Sequence, residues 1–177
     1  KPNYARVIST DDYQGAAAAQ FAAQKLSVKK VYILNDNQTY GQGVGKAFED
    51  EAKKQNIQVL GNEPWDAKQT SYAALFTKIK ATAPDMIYLA GIYDNNGGQL
   101  VKDKVSVLGP NDGVKFMGAD GISGYTELQK LPQGEGIYMT FAGLSTDQLM
   151  QGGGAAKKLL DDYKAKYGAE PGTSYAL

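Results

Sequence analysis

The chain has 177 residues, enough for one α/β domain with its own core. Its 19 Lys plus Arg balance 19 Asp plus Glu, so no net charge draws it toward nucleic acid or an anionic membrane. Cys and His are both absent, which removes the usual zinc sites, the thiol and Ser–His nucleophile systems and the commonest general base.

In chain order, a first strand is expected over residues 4–8. The turn behind it carries Asp11 and Asp12, either of which can cap the next helix. That helix has an Ala-rich body over 15–26, with Ala18, Phe21, Ala22 and Leu26 on its apolar face. A short buried strand follows at 31–34, then a polar loop at 35–40 and a helix over 41–54. Val44, Ala47, Phe48 and Ala52 give that helix its inner face. Strand 57–60 leads through a loop at 64–69 to a helix over 71–81, with Ala74, Leu75 and Ile79 inward and Pro84 ending it. Residues 86–90 form a continuous apolar strand of the kind covered on both faces. A Gly/Asn-rich loop at 91–98 precedes a helix over 99–108, and residues 110–113 make a turn. Phe116 and Met117 sit on a short strand before a second Gly-rich loop at 118–124. A short helix near 125–130, a strand at 136–141 and a last helix over 155–167 complete the pattern, with Gly152–Gly154 as a break. No apolar run approaches the roughly 18 residues of a membrane span. No signal peptide is visible, and both ends read as though cut from a longer protein.

About six β–α units at this spacing predict an α/β fold, a three-layer αβα sandwich around a mostly parallel, doubly wound sheet. Ligands of such sheets bind beyond the carboxyl ends of the strands. The loops at 35–40, 91–98 and 118–124 are therefore the places to look for a site.

Each of these loops is polar, holds glycine or runs directly into it, and is open to two readings. Tyr40 stands directly before a predicted helix start, so its hydroxyl and the free N–H groups there can face an anionic group. Equally, it can be a packing residue at a helix N-terminus. Tyr93, after the 86–90 strand, offers a flat apolar face and a hydroxyl to a ligand with an aliphatic and a polar end. The alternative is an incidental surface tyrosine. Asp120 can pair with a ligand ammonium, or it can be a turn aspartate bonded to its own backbone. No G-x-x-x-x-G-K-[ST] stretch is present, and Gly41-Gln42-Gly43-Val44-Gly45 lacks dinucleotide-site spacing. No cofactor or metal is called for: Asp161 and Asp162 read as a solvated helix face, and Asp11 and Asp12 as a cap.

The motifs nevertheless resemble a known family when taken in order. They are Arg6-Val7 through Asp11; Gln14-Gly15-Ala16-Ala17-Ala18; Lys30-Val31 through Asn35-Asp36; Tyr40-Gly41-Gln42-Gly43; and Asp85 through Gly91 with Tyr93. Phe116-Met117-Gly118-Ala119-Asp120-Gly121, Glu135-Gly136-Ile137-Tyr138, Tyr163 through Gly168 and Tyr175-Ala176 continue the series. Together they resemble the extracytoplasmic solute-binding proteins of ABC importers, of the leucine/isoleucine/valine-binding, type I periplasmic binding protein kind. The resemblance covers nearly the whole chain and implies a non-enzymatic protein. It further implies that residues 1–177 are a single ligand-binding lobe, the second of two. The missing first lobe, ABC permease subunits and a small amino acid or similar solute are then the partners, with no nucleic acid. The implied ligand-binding residues are Tyr40, Tyr93 and Asp120, the last receiving an α-ammonium where relatives carry Glu. The isolated lobe is expected to bind weakly or not at all, since one wall of the cleft is absent. A ligand-sensing domain of a receptor or regulator with the same fold, and a flavodoxin-like enzyme or phospho-receiver, are the competing readings.

Overall fold

A computed structural model describes residues 3, 8–144 and 146–169. The chain divides into two compact units, one of Thr10–Thr140 and one joining Lys1–Ser9 to Phe141–Leu177. The first unit holds the sheet. Helix α1 (Asp11–Gln24) leads to β1 (Lys30–Asn35), and α2 (Thr39–Lys54) to β2 (Gln58–Pro64). Helix α3 (Ala73–Lys80) leads to β3 (Met86–Ala90), and α4 (Gly97–Leu108) to β4 (Lys115–Gly118). A short α5 (Thr126–Lys130) precedes β5 (Tyr138–Met139). All four strand pairings are parallel, in the order β2-β1-β3-β4-β5.

Strands β1 and β3 are apolar along nearly their whole length because helices cover both faces. Alternation sorts their side chains between two cores. Val31, Ile33, Met86, Tyr88 and Met117 join Ala18, Ala22, Val44 and Phe48 in the core of α1 and α2. Tyr32, Leu34, Ile87, Leu89 and Phe116 join Phe76, Ile79, Leu100 and Val101 in the core of α3 and α4. The layers are therefore helix, sheet, helix, as the alternation of elements predicts. In the first core Phe48 and Tyr88 stack, with ring centroids 3.9 Å apart and planes 15° from parallel. The second unit contains α6 (Thr146–Gly152) and α7 (Gly154–Tyr167), which pack on each other.

Several local expectations need correction. The strand expected at 4–8 falls outside the described residues, except for Ile8, which lies in a bend. The Arg6-Val7 and Tyr175-Ala176 motifs also lie outside them. Asp11 and Asp12 do not cap α1. Thr10 is the N-cap, without a side-chain cap bond, and the two carboxylates sit in the first turn, where the helix dipole favours them. Phe21 is exposed and Ala19 is buried in its place, so the apolar face of α1 is made of small residues. In α3 Ile79 is buried as expected, whereas Ala74 is exposed and Phe76 is buried instead. The strand expected at 136–141 narrows to Tyr138–Met139, and β2 extends to Pro64.

Glu51 ties α1 to α2. Its carboxylate accepts from Gln20 Nε2 at 2.9 Å, from Gln55 Nε2 at 2.8 Å and from Lys54 Nζ at 3.2 Å. These bonds, that from Gln20 foremost, hold the carboxyl well below its ordinary 4.5, at about 2. A depressed carboxyl stabilises the fold fully above the unfolded value, and the gain is lost as pH falls through the folded one. Urea midpoints measured between pH 6 and pH 2 are therefore expected to fall more steeply for the native chain than for Glu51→Gln. Parallel curves would contradict this.

A second polar knot lies where α4 turns into β4. The fully buried Lys104 directs Nζ to the Gly109 carbonyl at 3.1 Å, the Pro110 carbonyl at 3.3 Å, Asn111 Oδ1 at 2.8 Å and the Val114 carbonyl. The buried Asn111 amide passes the link on, donating to the carbonyls of Gln133 at 3.0 Å and Glu135 at 2.7 Å. One helical lysine thus organises both turns that precede the last two strands.

Candidate functional site

Parallel strands bring all their carboxyl ends to one edge. From β1 the chain crosses outward to β2, whereas from β3 it crosses the other way to β4. The order of connection reverses between β1 and β3, and a crevice forms at such a point. The loops beyond β1, β3 and β4 border it.

Asp36, the first residue past β1, fastens two of these loops together. It is 4% exposed. Its Oδ1 accepts the Gln38 N–H at 3.1 Å, an Asx turn that launches α2. Its Oδ2 crosses to the loop after β3, accepting the Ile92 N–H at 3.1 Å and Asn95 Nδ2 at 2.8 Å. Gly41 in α2 leaves room for this carboxylate. A Cβ there would lie 2.2 Å from Asp36 Oδ1 and 2.4 Å from the Ala90 carbonyl. Trp65, buried at the end of β2, donates Nε1–H to the Asn95 carbonyl at 2.7 Å and braces the same loop.

Tyr40 is half-buried and lies in the first turn of α2, not ahead of it, because the Asx turn starts the helix at Thr39. The Asp36 carboxylate lies at this helix N-terminus through its bond from the Gln38 N–H. The Tyr40 hydroxyl donates to Asp120 Oδ1 at 2.6 Å and accepts the Gly121 N–H at 3.3 Å. Burial first, and then the bond and charge of Asp120, push the Tyr40 phenol far above its ordinary value, so it remains a donor. Asp120 opens a 3-10 turn, Asp120–Ile122, directly beyond β4, and its carboxylate is turned to Tyr40.

Tyr93 joins the group through the backbone. Its N–H donates to the Gly121 carbonyl at 2.9 Å, and its half-buried ring lies 4.6 Å from that of Tyr125, tilted by 31°. The Tyr125 hydroxyl in turn donates to Asp94 Oδ2 at 3.1 Å. Burial is the main reason that both phenols sit above their ordinary value. Gly121 is the point where the three loops meet. A Cβ on it would come within 2.6 Å of the Gly91 carbonyl, 2.9 Å of Ile92 Cγ2 and 3.1 Å of Tyr40 Cε1. Asn96, in the left-handed region at φ 70°, caps the loop before α4. It donates Nδ2–H to the Gln69 carbonyl at 2.7 Å and to the Tyr72 hydroxyl at 3.1 Å, while the Gly97 N–H is held by the Tyr93 carbonyl at 2.8 Å.

The structure thus brings Tyr40 and Asp120 into direct contact and holds Tyr93 to the same turn. Asp36, Trp65, Asn95 and Tyr125 complete the rim, and the sequence reading did not single them out. An aspartate directly after an apolar strand and two residues before an N–H that it can accept was the available signal for Asp36. A carboxylate beside phenols that stay protonated can accept a cationic group against aromatic walls. Among the described residues, no cluster of three or more acidic side chains is placed to hold a metal ion.

A family model described as a periplasmic binding protein matches residues 1–177. The chain belongs to that family. Periplasmic binding proteins are solute-binding proteins and not enzymes, and their kind is extracytoplasmic. This periplasmic binding protein is 28% identical over 164 residues to an amino acid binding protein of Pseudomonas aeruginosa, covering 90% of the chain and 39% of that relative. It is also 28% identical over 118 residues to the Leu/Ile/Val-binding protein of Escherichia coli strain K12, covering 67% and 31%. The chain therefore spans less than half the length of these relatives. Among solved structures, a leucine binding protein from Thermotoga maritima superposes with a TM-score of 0.74 at 25% identity, over 94% of this chain and 46% of that one. The branched-chain amino acid transporter substrate binding protein of Streptococcus pneumoniae, solved in complex with isoleucine, gives 0.70 at 29%, over 92% and 44%. These neighbours bear out the type I periplasmic binding protein fold. Among the described residues, no helix is long and apolar enough to cross a membrane.

Proposed function

We propose that this chain is the second lobe of an ABC-importer solute-binding protein, which closes with a first lobe on a small amino acid and presents it to the permease. In this reading Asp120 receives the ligand's α-ammonium, Tyr40 orients that carboxylate, and Tyr93 supplies an aromatic wall for the side chain. The observation that carries the reading is the Tyr40–Asp120 hydrogen bond of 2.6 Å at the carboxyl edge of the sheet, beside the point where strand order reverses. Leucine and isoleucine are named for proteins similar to this one, which supports an amino acid as the ligand. Lobe closure is a hinge motion that buries the ammonium–carboxylate pair. Such a protein works outside the cytoplasmic membrane, in the periplasm or tethered as a lipoprotein.

The test is calorimetry on the two-lobe protein containing this chain, titrated with leucine, isoleucine and valine. At least one is expected to bind, and Asp120→Ala is expected to weaken that binding by about tenfold or more, the worth of one charge-assisted hydrogen bond. Unchanged affinity in the variant would remove Asp120 from the site.

A further inference from the structure

Tyr88 stands out in the core of α1 and α2. It is fully buried in the middle of β3, and among the described residues its hydroxyl is a buried polar atom with no hydrogen-bond partner. Such a group is a standing cost to stability, and phenylalanine would fill the same space without it. The ring is held flat against Phe48, so the hydroxyl has little freedom to look elsewhere.

Its position relates it to the rim. In the sheet Tyr88 pairs with Met117, three residues before Asp120. Leu89, the next residue of β3, accepts the Ala119 N–H at 3.2 Å and so fixes the strand end from which Asp120 departs. Met117 and Ala119 lie in the same core as Tyr88, and the Tyr40 ring packs against that core from the rim side. Tyr88 thus lies in the layer beneath the Tyr40–Asp120 pair. Burial first, and then the charge of Asp120, raise its phenol above the ordinary value.

We propose that Tyr88 is a positioning residue for the Tyr40–Asp120 pair, its buried hydroxyl dipole steadying the Asp120 carboxylate from below so that the carboxylate meets a cationic ligand group. The inference rests on the functional reading above and adds to it a residue that need not touch the ligand. An O–H dipole in a low-dielectric interior acts on a nearby charge more strongly than it would in water. The hydroxyl is then retained for the site at the expense of the fold.

Tyr88→Phe separates the two roles. In urea denaturation of this chain its midpoint is expected to equal or exceed the native one, because the orphan hydroxyl is gone while the ring against Phe48 is kept. In the two-lobe protein its affinity for leucine is expected to fall about fivefold, the loss of one charge–dipole contact. A double-mutant cycle on this chain adds a readout independent of ligand. Tyr88→Phe is expected to be more stabilising in an Asp120→Asn background than in the native one, since only the native chain then loses an attraction. Leucine affinity unchanged in Tyr88→Phe but weakened in Asp120→Ala would overturn the inference alone. Unchanged affinity in both variants would overturn the functional reading and the inference with it. A lower urea midpoint for Tyr88→Phe in the Asp120→Asn background would also overturn the inference, because the hydroxyl would then be serving the fold without the Asp120 charge.

Discussion

Asp36→Ala is expected to destabilise the chain by about 3 kcal/mol, since it strips two backbone N–H groups and one amide of a buried, charged acceptor. Individual bonds to a charged group contribute roughly 1.5–3 kcal/mol, and water reaching the exposed Gln38 and Ile92 recovers part of the loss. The effect has a place as well as a size. Asp36 is the only charged side chain among the ties described above that hold the start of the loop after β3, beside the Trp65 indole and the Tyr93–Gly121 backbone bond, and it is the one removed. Hydrogen exchange at Ile92 and its neighbours is therefore expected to accelerate well before exchange in β1 and β3. Asp36→Asn keeps the Oδ1 bond but presents an NH2 group where Ile92 and Asn95 both donate, so it should recover only part of the stability. A urea midpoint for Asp36→Ala within error of the native one would show that the two loops hold together without it.

Lys104→Met is expected to cost about 2–3 kcal/mol, and here two effects oppose each other. Burial disfavours the ammonium and pushes Lys104 down from 10.5 to about 8, with Asp112 pulling the other way. Methionine escapes that penalty. Against it, four oxygens lose their donor, and Asn111, whose amide orders the 132–136 turn, loses its own anchor. At neutral pH the lysine still keeps its proton, so the oxygens offset most of the desolvation, and their loss decides the sign. The pH dependence gives an independent check. A folded value below the unfolded one means that the unfolded chain holds more protons between about pH 8 and 10.5. Stability contributed by this site therefore rises through that window, until the tyrosines of the unfolded chain begin to ionise near 10. Native stability should climb between pH 8 and 9.5 relative to Lys104→Met. A constant difference between the two would contradict the assignment.

The sheet was readable in the sequence because β1 and β3 are almost wholly apolar, and only strands covered on both faces are written that way. The three loops were readable for the same reason, since polar segments that hold glycine or run directly into it follow each such strand. Other features were out of reach. Tyr40 and Asp120 lie 80 positions apart, and nothing local says that one hydroxyl meets the other carboxylate. Lys104 looks like any lysine of an exposed helix face until the turn at 110–114 folds over it. Ala74 and Phe76 compete for the inside of α3, and the larger side chain wins because it fills the space above β3. Helix α6 was missed because Thr146–Gly152 offers few apolar residues to show a period and runs into three glycines. Asp36 was hidden by its own neighbours, since an Asn-Asp-Asn run reads as solvated loop and not as a buried acceptor.

The restraint on Asn96 has a chemical consequence over the lifetime of the molecule. An asparagine followed by glycine is the dipeptide most prone to spontaneous loss of its amide, through attack of the next backbone nitrogen on the side-chain carbonyl carbon. Here that nitrogen is committed to the Tyr93 carbonyl, and the departing amide is gripped by Gln69 and Tyr72. The ring-closing geometry is denied from both sides, so this stretch ages slowly and introduces no new negative charge beside the rim.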